Sequence, residues 1–345
     1  MMTLLMLAMA LQTEAEIDDA TQAKIDKGLD WLAAQQGRDG GLRGSSVPVC
    51  ATSLAGLAWL ARGDTGERGR YAENITSALR FTVKNTDKTG FISGSGGGAS
   101  GMHGHGYGVL FLAQATGTIT DPELRDEVYD ALTRSVRLIE NSQNQWGGWN
   151  STPNKGAGDD GSGAIAVMQI MGLRAAREVG IAVDEPCIEK AQKYLKEMMS
   201  ESGWYQYNYH SRTGNRQSSA LTGAGLYMLG AFDLWDDPKY DKGIKNLMGA
   251  APFLKGSSSG GDGGWSSWYL YTAFYSSIAV FQHGGDEWKR LWPAMRDDLL
   301  KQQSGGGAWP DSYGGVYTAL ALLTLELPYR TLPVFQAGGR GREGE

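Results

Sequence analysis

Six times along the 345 residues, a charged amphipathic segment runs into a glycine-rich turn, and a second segment of small and apolar residues follows. The turns read Gly40-Gly41-Leu42, Gly90-Phe91, Gly147-Gly148-Trp149, Gly203-Trp204, Gly263-Gly264-Trp265 and Gly307-Ala308-Trp309. Their closing residues lie 49, 58, 55, 61 and 44 positions apart, the recurrence of a repeat architecture. A single pair of helices cannot bury its apolar side alone, so six such pairs must close on one another.

The first segment of each pair reads as an outer helix. Residues Ile17, Ile25, Leu29 and Leu32 share one stripe of the segment Ile17–Gln35, with Thr21 the one polar interruption. Asp121-Pro122-Glu123, Asp184-Glu185-Pro186 and Asp237-Pro238 are helix starts: a capping acid, then proline in a first turn that needs no N–H. The second segments are Ser46–Ala61, His105–Ala115, Ser162–Arg177, Ser218–Phe232, Ser267–Phe281 and Gly315–Leu325. They are apolar nearly all round and rich in Ala, Gly, Ser and Thr, so they belong inside. Charged helices outside and small-residue helices inside define an all-α chain, an (α/α)6 barrel spanning residues 16–332. Residues 1–15 carry the apolar run Leu4-Leu5-Met6-Leu7-Ala8-Met9-Ala10, which reads as a signal peptide for export to the periplasm or medium; the alternatives are a mispicked start or a packed N-terminal helix of a cytoplasmic protein. Residues 333–345 read as a flexible tail.

If outer helices run one way and inner helices the other, the six inner N-termini and their loops gather at one rim. Binding groups on a rigid scaffold usually sit on such loops. A net charge of −6 argues against a nucleic-acid partner, because phosphate binding needs clustered positive charge. No apolar stretch is long enough to cross a bilayer, and Cys50 and Cys187 are too few for a disulfide framework.

Lys27-Gly28-Leu29-Asp30-Trp31-Leu32, Gln35-Gln36 and Gly40-Gly41-Leu42 resemble the "QW" repeat of squalene–hopene cyclases, with Leu42 in place of Trp. Leu299-Leu300, Gln302-Gln303 and Gly307-Ala308-Trp309 form a second copy, and Gln143 with Gly148-Trp149 a third. The likeness, over roughly residues 17–326, is to the toroid superfamily of squalene cyclases and protein prenyltransferases. It implies that the glutamine ties an outer helix to the next inner helix and that the aromatic plugs the junction. It also implies an isoprenoid-type or other apolar ligand in the barrel. The cyclases protonate an alkene with Asp-x-Asp-Asp-Thr-Ala opening an inner helix, and Asp159-Asp160-Gly161-Ser162-Gly163-Ala164 keeps two acids without that spacing. Two adjacent carboxylates repel, which favours one being held protonated as an acid; the alternative is that Asp160 caps the helix. The prenyltransferases bind zinc with an Asp-x-Cys pair and a later His. Here Ser162 stands in the Cys place, and Tyr313 and Tyr317 occupy the last inner segment. Zinc or magnesium stays compatible with the chain, but no residue is assigned as a metal ligand.

The remaining candidates for ligand contact are His103, His105 and Tyr107, a dense polar cluster ahead of an inner helix, with a structural turn as the alternative. Arg212 and Arg216 precede the fourth inner helix and suit an anionic group; the alternative is a surface loop paired with Asp262 or Asp159. Trp268, Tyr271, Tyr275, Tyr313 and Tyr317 bring aromatic faces to the last two inner helices, matched to a polyene, a cation or a sugar ring. Three functions follow: an isoprenoid-type ligand toroid, an exported carbohydrate-active barrel using a carboxylate pair, or a non-catalytic binding or scaffold module.

Overall fold

The computed structural model describes residues 17–93, 101–154, 160–207, 218–251 and 269–336. The 1–15 leader, and with it the expected export signal, lies outside these residues. Twelve α-helices occur among them. The outer ones are α1 (Asp19–Gln35), α3 (Ala72–Lys84), α5 (Pro122–Ser142), α7 (Glu185–Met198), α9 (Pro238–Ala250) and α11 (Gly285–Gln302). The inner ones are α2 (Pro48–Ala61), α4 (Gly101–Thr116), α6 (Gly163–Glu178), α8 (Ser219–Ala231), α10 (Tyr269–His283) and α12 (Val316–Leu325). Three acids cap: Asp18 accepts from Thr21 N at 2.7 Å, Asp121 from Glu123 N at 3.1 Å and Asp237 from Lys239 N at 2.9 Å, whereas Asp184, expected to cap α7, stands at its N-cap without a side-chain bond.

The inner helices make a closed ring. Helix α2 packs on α4, α4 on α6, α6 on α8, α8 on α10, α10 on α12, and α12 returns to α2. Outer helices fill the grooves behind: α3 touches α2 and α4, α5 touches α4 and α6, and α1 touches α12 and α2. The small residues of the inner ring permit this close approach. At Gly223 of α8, for example, an added Cβ would come within 2.6 Å of Ser276 N on α10.

The hairpin turns share one construction. Gly40, Gly90, Gly147, Gly203 and Gly307 all have φ between 85° and 101°, the left-handed region. A Cβ at these positions would collide with the backbone of the next outer helix, at 2.1 Å from Ser77 O for Gly40, 2.2 Å from Lys190 O for Gly147 and 2.5 Å from Lys27 O for Gly307. The turn therefore leans on the following outer helix, and only glycine fits the contact.

Two expectations about these turns are corrected by that geometry. The residue that plugs each junction stands two positions after the glycine: Leu42, Ile92, Trp149, Tyr205 and Trp309 are all buried. Phe91 and Trp204 sit one position off that register and are partly exposed. The bridges Gln36–Leu42, Thr86–Ile92 and Met199–Tyr205 keep the same six-residue closure. Second, the glutamines tie outer helix to outer helix. Gln36 Nε2 donates to Gly40 O and Asn74 O, both at 2.9 Å. Gln143 Nε2 donates to Gly147 O at 3.1 Å and Cys187 O at 2.9 Å. Gln303 Nε2 donates to Gly307 O and to Lys24 O of the first outer helix, both at 2.9 Å, so the last repeat is latched to the first. The indole N–H groups add a second tie: Trp149 Nε1 to Ile139 O and Trp309 Nε1 to Leu299 O, each 2.8 Å.

Residues 333–336, expected as the start of a flexible tail, are packed against the ring. Pro333–Phe335 is a 3₁₀ turn, Val334 is 0% exposed, and the segment enters the ring where the inner helices end. Residues 337–345 lie outside the described ones.

Candidate functional site

One end of the ring collects the inner N-termini. Ser45 Oγ, before α2, donates to Tyr313 O, before α12, at 2.6 Å. Met102 N of α4 donates to Ser151 O, before α6, at 3.0 Å. Gly163 N of α6 donates to Tyr207 O, before α8, at 3.0 Å. The rim predicted from the repeat is present, and the sequences 94–100, 155–159, 208–217 and 252–268 directly precede α4, α6, α8 and α10. Asp159, Arg212, Arg216 and Trp268 fall in these stretches, outside the described residues.

Below the rim the lumen is crossed by side chains. Tyr107 of α4 and Tyr275 of α10, on opposite sides of the ring, bring their hydroxyls to 2.9 Å of one another. Tyr275 Oη also reaches Met168 Sδ at 3.0 Å on α6. This pair closes the barrel midway. An aromatic-walled pit of the kind expected from sequence does not run through this level of the ring. One turn nearer the rim, on the same faces at the i, i+4 spacing, stand His103 and Tyr271. The Tyr271 ring lies 4.8 Å from that of Tyr275. Tyr317 meets Tyr313 edge-on at 5.5 Å.

The ionisable groups here are held neutral by burial. Desolvation pushes the Cys50 thiol up to about 12, with Asp311 adding to the shift, and lowers His103 to about 4. Burial likewise raises the phenols of Tyr107, Tyr271 and Tyr275 far above their usual range, and Tyr317 to about 12. The Cys50 thiol raises both Tyr107 and Tyr271, and Tyr271 raises Tyr107, which places the thiol with the two phenols. The Asp311 carboxylate is taken up by the start of α12: it accepts from Tyr313 N at 2.6 Å and from Gly315 N and Tyr317 N, both at 2.8 Å.

Several candidates stand elsewhere than expected. Helix α4 starts at Gly101, so His103 and His105 lie inside the helix and not in a turn ahead of it. His105 points away from the lumen. It is 0% exposed, its Nδ1 accepts from Ile92 N at 3.2 Å, and Phe91 packs on its ring. It fills the place that Thr52, Thr222 and Thr318 fill in other repeats, where a hydroxyl accepts from Leu42 N, Tyr205 N and Trp309 N. Burial lowers it to about 3, a structural acceptor locked neutral. Asp160 is partly exposed, and its carbonyl accepts from Tyr194 Oη of α7 at 3.4 Å. The residue at the N-cap of α6 is Ser162, with no side-chain cap bond. Among the described residues no three His, Cys, Asp or Glu side chains converge as metal ligands.

The reading from sequence missed the opposite mouth. Gln114 of α4, Arg174 of α6, Tyr227 of α8 and Gln282 of α10 converge there on the C-terminal segment. Arg174 donates to Val334 O at 3.0 Å and Gln336 O at 3.2 Å, Tyr227 Oη to Val334 O at 2.7 Å, and Gln282 Nε2 to Gln336 O at 3.1 Å. Val334 N donates to Gln114 Oε1 at 3.5 Å. Four long polar residues on otherwise apolar helices were the available signal.

No protein-family model matches the chain, and no curated protein matches it. Solved structures do. A cellobiose 2-epimerase from Bacillus thermoamylovorans is 15% identical, with a TM-score of 0.63 over 95% of this chain and 100% of that one. An α-1,6-mannanase from Salegentibacter is 14% identical, with a TM-score of 0.60 over 90% and 98%. A type II terpene cyclase from Scytonema, bound to geranylgeranyl dihydroxybenzoate, is 14% identical, with a TM-score of 0.55 over 91% and 99%. The class is the α/α toroid, the fold of terpene cyclases and of sugar-active barrels alike. At these identities the likeness defines the fold alone.

Proposed function

We propose that this toroid binds an apolar, isoprenoid-type ligand at the rim half of its lumen. The observation that carries the reading is the aromatic lining: the phenols of Tyr107, Tyr271 and Tyr275, with the Cys50 thiol, the His103 imidazole and the half-buried Tyr317 beside them, groups that burial makes harder still to ionise. Aromatic faces and neutral groups match hydrocarbon and offer little to compensate a buried charge. The terpene cyclase among the similar structures holds a geranylgeranyl substrate. This chain keeps neither the full acid motif nor the zinc set of the superfamily, and its lumen is shut midway, which fits holding a ligand better than folding a long polyene. Arg212 and Arg216 are the charges placed in sequence to meet an anionic end.

The test is a tryptophan-fluorescence titration with squalene and farnesyl diphosphate. Saturable quenching by either supports the reading, and Tyr271→Ala weakens it; no response to either ligand overturns it.

A second reading rests on one observation. A variant of the mannanase described as inactive carries replacements at two adjacent aspartates, and this chain has the adjacent pair Asp159-Asp160 before an inner helix. If a sugar is the substrate, release of reducing ends from α-1,6-mannotriose is expected and is abolished in Asp160→Asn, with the melting temperature unchanged.

A further inference from the structure

The second mouth of the barrel is closed by residues 327–336 of the chain itself. The closing stretch begins at Glu326, the C-cap of α12, passes through the 3₁₀ turn Leu327–Tyr329, and reverses at Arg330, a non-glycine residue at φ 57°. It ends in Leu332–Gln336, where the grip is on main chain: Arg174, Tyr227 and Gln282 all donate to carbonyls of Val334, Phe335 or Gln336. Such bonds hold a backbone of any sequence, and they come from three different inner helices.

Glu326 stands at the root of this segment with a side chain the fold does not satisfy. It is 2% exposed, and neither carboxyl oxygen has a hydrogen-bond partner among the described residues. It lines a cavity of about 10 Å³, the size of a single water. Most of the other walls belong to the closing segment, Leu327, Arg330, Thr331, Leu332, Phe335 and Gln336, so withdrawal of the segment brings water to the carboxyl.

We propose that residues 327–336 form a pH-sensitive plug, with Glu326 as the latch: neutral while the plug is seated, ionised when it lifts. Burial holds the seated carboxyl far above the usual carboxylate range. The charged groups around it act in opposite directions. Arg62, after α2, favours ionisation, but its Nε is engaged by Asp26 of α1 at 3.0 Å. Asp26 and Asp64 oppose ionisation. From the plug side, Arg330 lies over the Phe281 ring at 4.7 Å, and the Tyr329 phenol is pushed up to about 12, first by burial and then by Glu326. The sign follows from linkage. A carboxyl whose seated pKa is raised costs nothing at acid pH, where both forms are neutral. Above about pH 4.5 it favours the open form by up to tenfold per pH unit, until the seated value is reached.

The experiment is amide hydrogen exchange by mass spectrometry on the full-length protein from pH 5 to pH 8. Wild type and Glu326→Gln are compared at each pH, so that the intrinsic exchange rate cancels. Exchange in residues 327–336 of the wild type should rise relative to the Gln variant, by up to tenfold per pH unit, while peptides from α5 and α7 keep a ratio of one. A ratio of one in 327–336 at every pH, or an equal rise in α5 and α7, overturns the proposal. Tyr227→Phe, which removes one main-chain bond without touching the latch, should speed exchange of 327–336 about fivefold at every pH. No change there would show that the barrel wall does not hold the plug.

Discussion

Gly40 and Gly44 occupy one turn, both in the left-handed region at φ 89° and 71°, yet they face different surroundings. A Cβ on Gly44 meets nothing within 4 Å, whereas one on Gly40 would lie 2.1 Å from Ser77 O of α3. Left-handed strain costs each alanine about 1–2 kcal/mol, and the stiffer unfolded chain returns about 0.4–1 kcal/mol. Gly44→Ala should therefore cost about 1 kcal/mol. In Gly40→Ala the turn must also withdraw from α3. That breaks the bonds of Gln36 Nε2 to Asn74 O at 2.9 Å and of Asn74 Nδ2 to Gln36 Oε1 at 2.7 Å, and it loosens the packing on Phe81. At about 1 kcal/mol for each bond and a similar amount for the packing, the expected loss is about 4 kcal/mol. Urea unfolding of both variants reads the difference. If the two agree within about 1 kcal/mol, the turns do not lean on the neighbouring helices and the account of ring closure is wrong.

Removing the lumen crossbar should be non-additive. Tyr275→Phe strands the Tyr107 hydroxyl and costs about 1–3 kcal/mol, while Tyr107→Phe with Tyr275→Phe should cost less than the sum of the single changes in a denaturation cycle. His105, lowered to about 3 in the fold, makes stability fall as pH drops below about 6.5, where the unfolded imidazole takes up a proton. The slope contributed by this residue is about 1.4 kcal/mol per pH unit down to about pH 4, and it should vanish in His105→Gln when unfolding is followed from pH 7 to pH 5. This is opposite in sign to the linkage at Glu326. Cys50, pushed up to about 12, should resist iodoacetamide at pH 8 in the native protein, as read by mass spectrometry, and label on unfolding.

Much of the barrel was legible from residue pattern because two helical textures alternate: charged stripes outside, small residues inside. What was misplaced turned on single-residue register. Gly90-Phe91 and Gly203-Trp204 look like junction plugs because the eye follows the aromatic. The geometry follows the left-handed glycine and counts two onward, to Ile92 and Tyr205. His105 has the appearance of a ligand, but it lies on the face of α4 turned to the junction, where it accepts the amide of Ile92 as Thr52, Thr222 and Thr318 accept theirs. The lumen partners Tyr107 and Tyr275 are 168 residues apart, and no local pattern announces that they meet. The plug was hidden by its composition. Leu332-Pro333-Val334-Phe335 resembles the start of a tail, and the reason it is ordered lies in Arg174, Tyr227 and Gln282, far away in sequence.

The rim half of the lumen, above the Tyr107–Tyr275 pair, is where the account places its ligand. A crystal structure of the protein soaked with geranylgeraniol tests that directly. Electron density for the hydrocarbon chain against Tyr271, Cys50 and Tyr317, with the two phenols still joined beneath it, is the predicted result. Density on the plug side of that pair, or a rim half that stays free of hydrocarbon at saturating ligand, would contradict it.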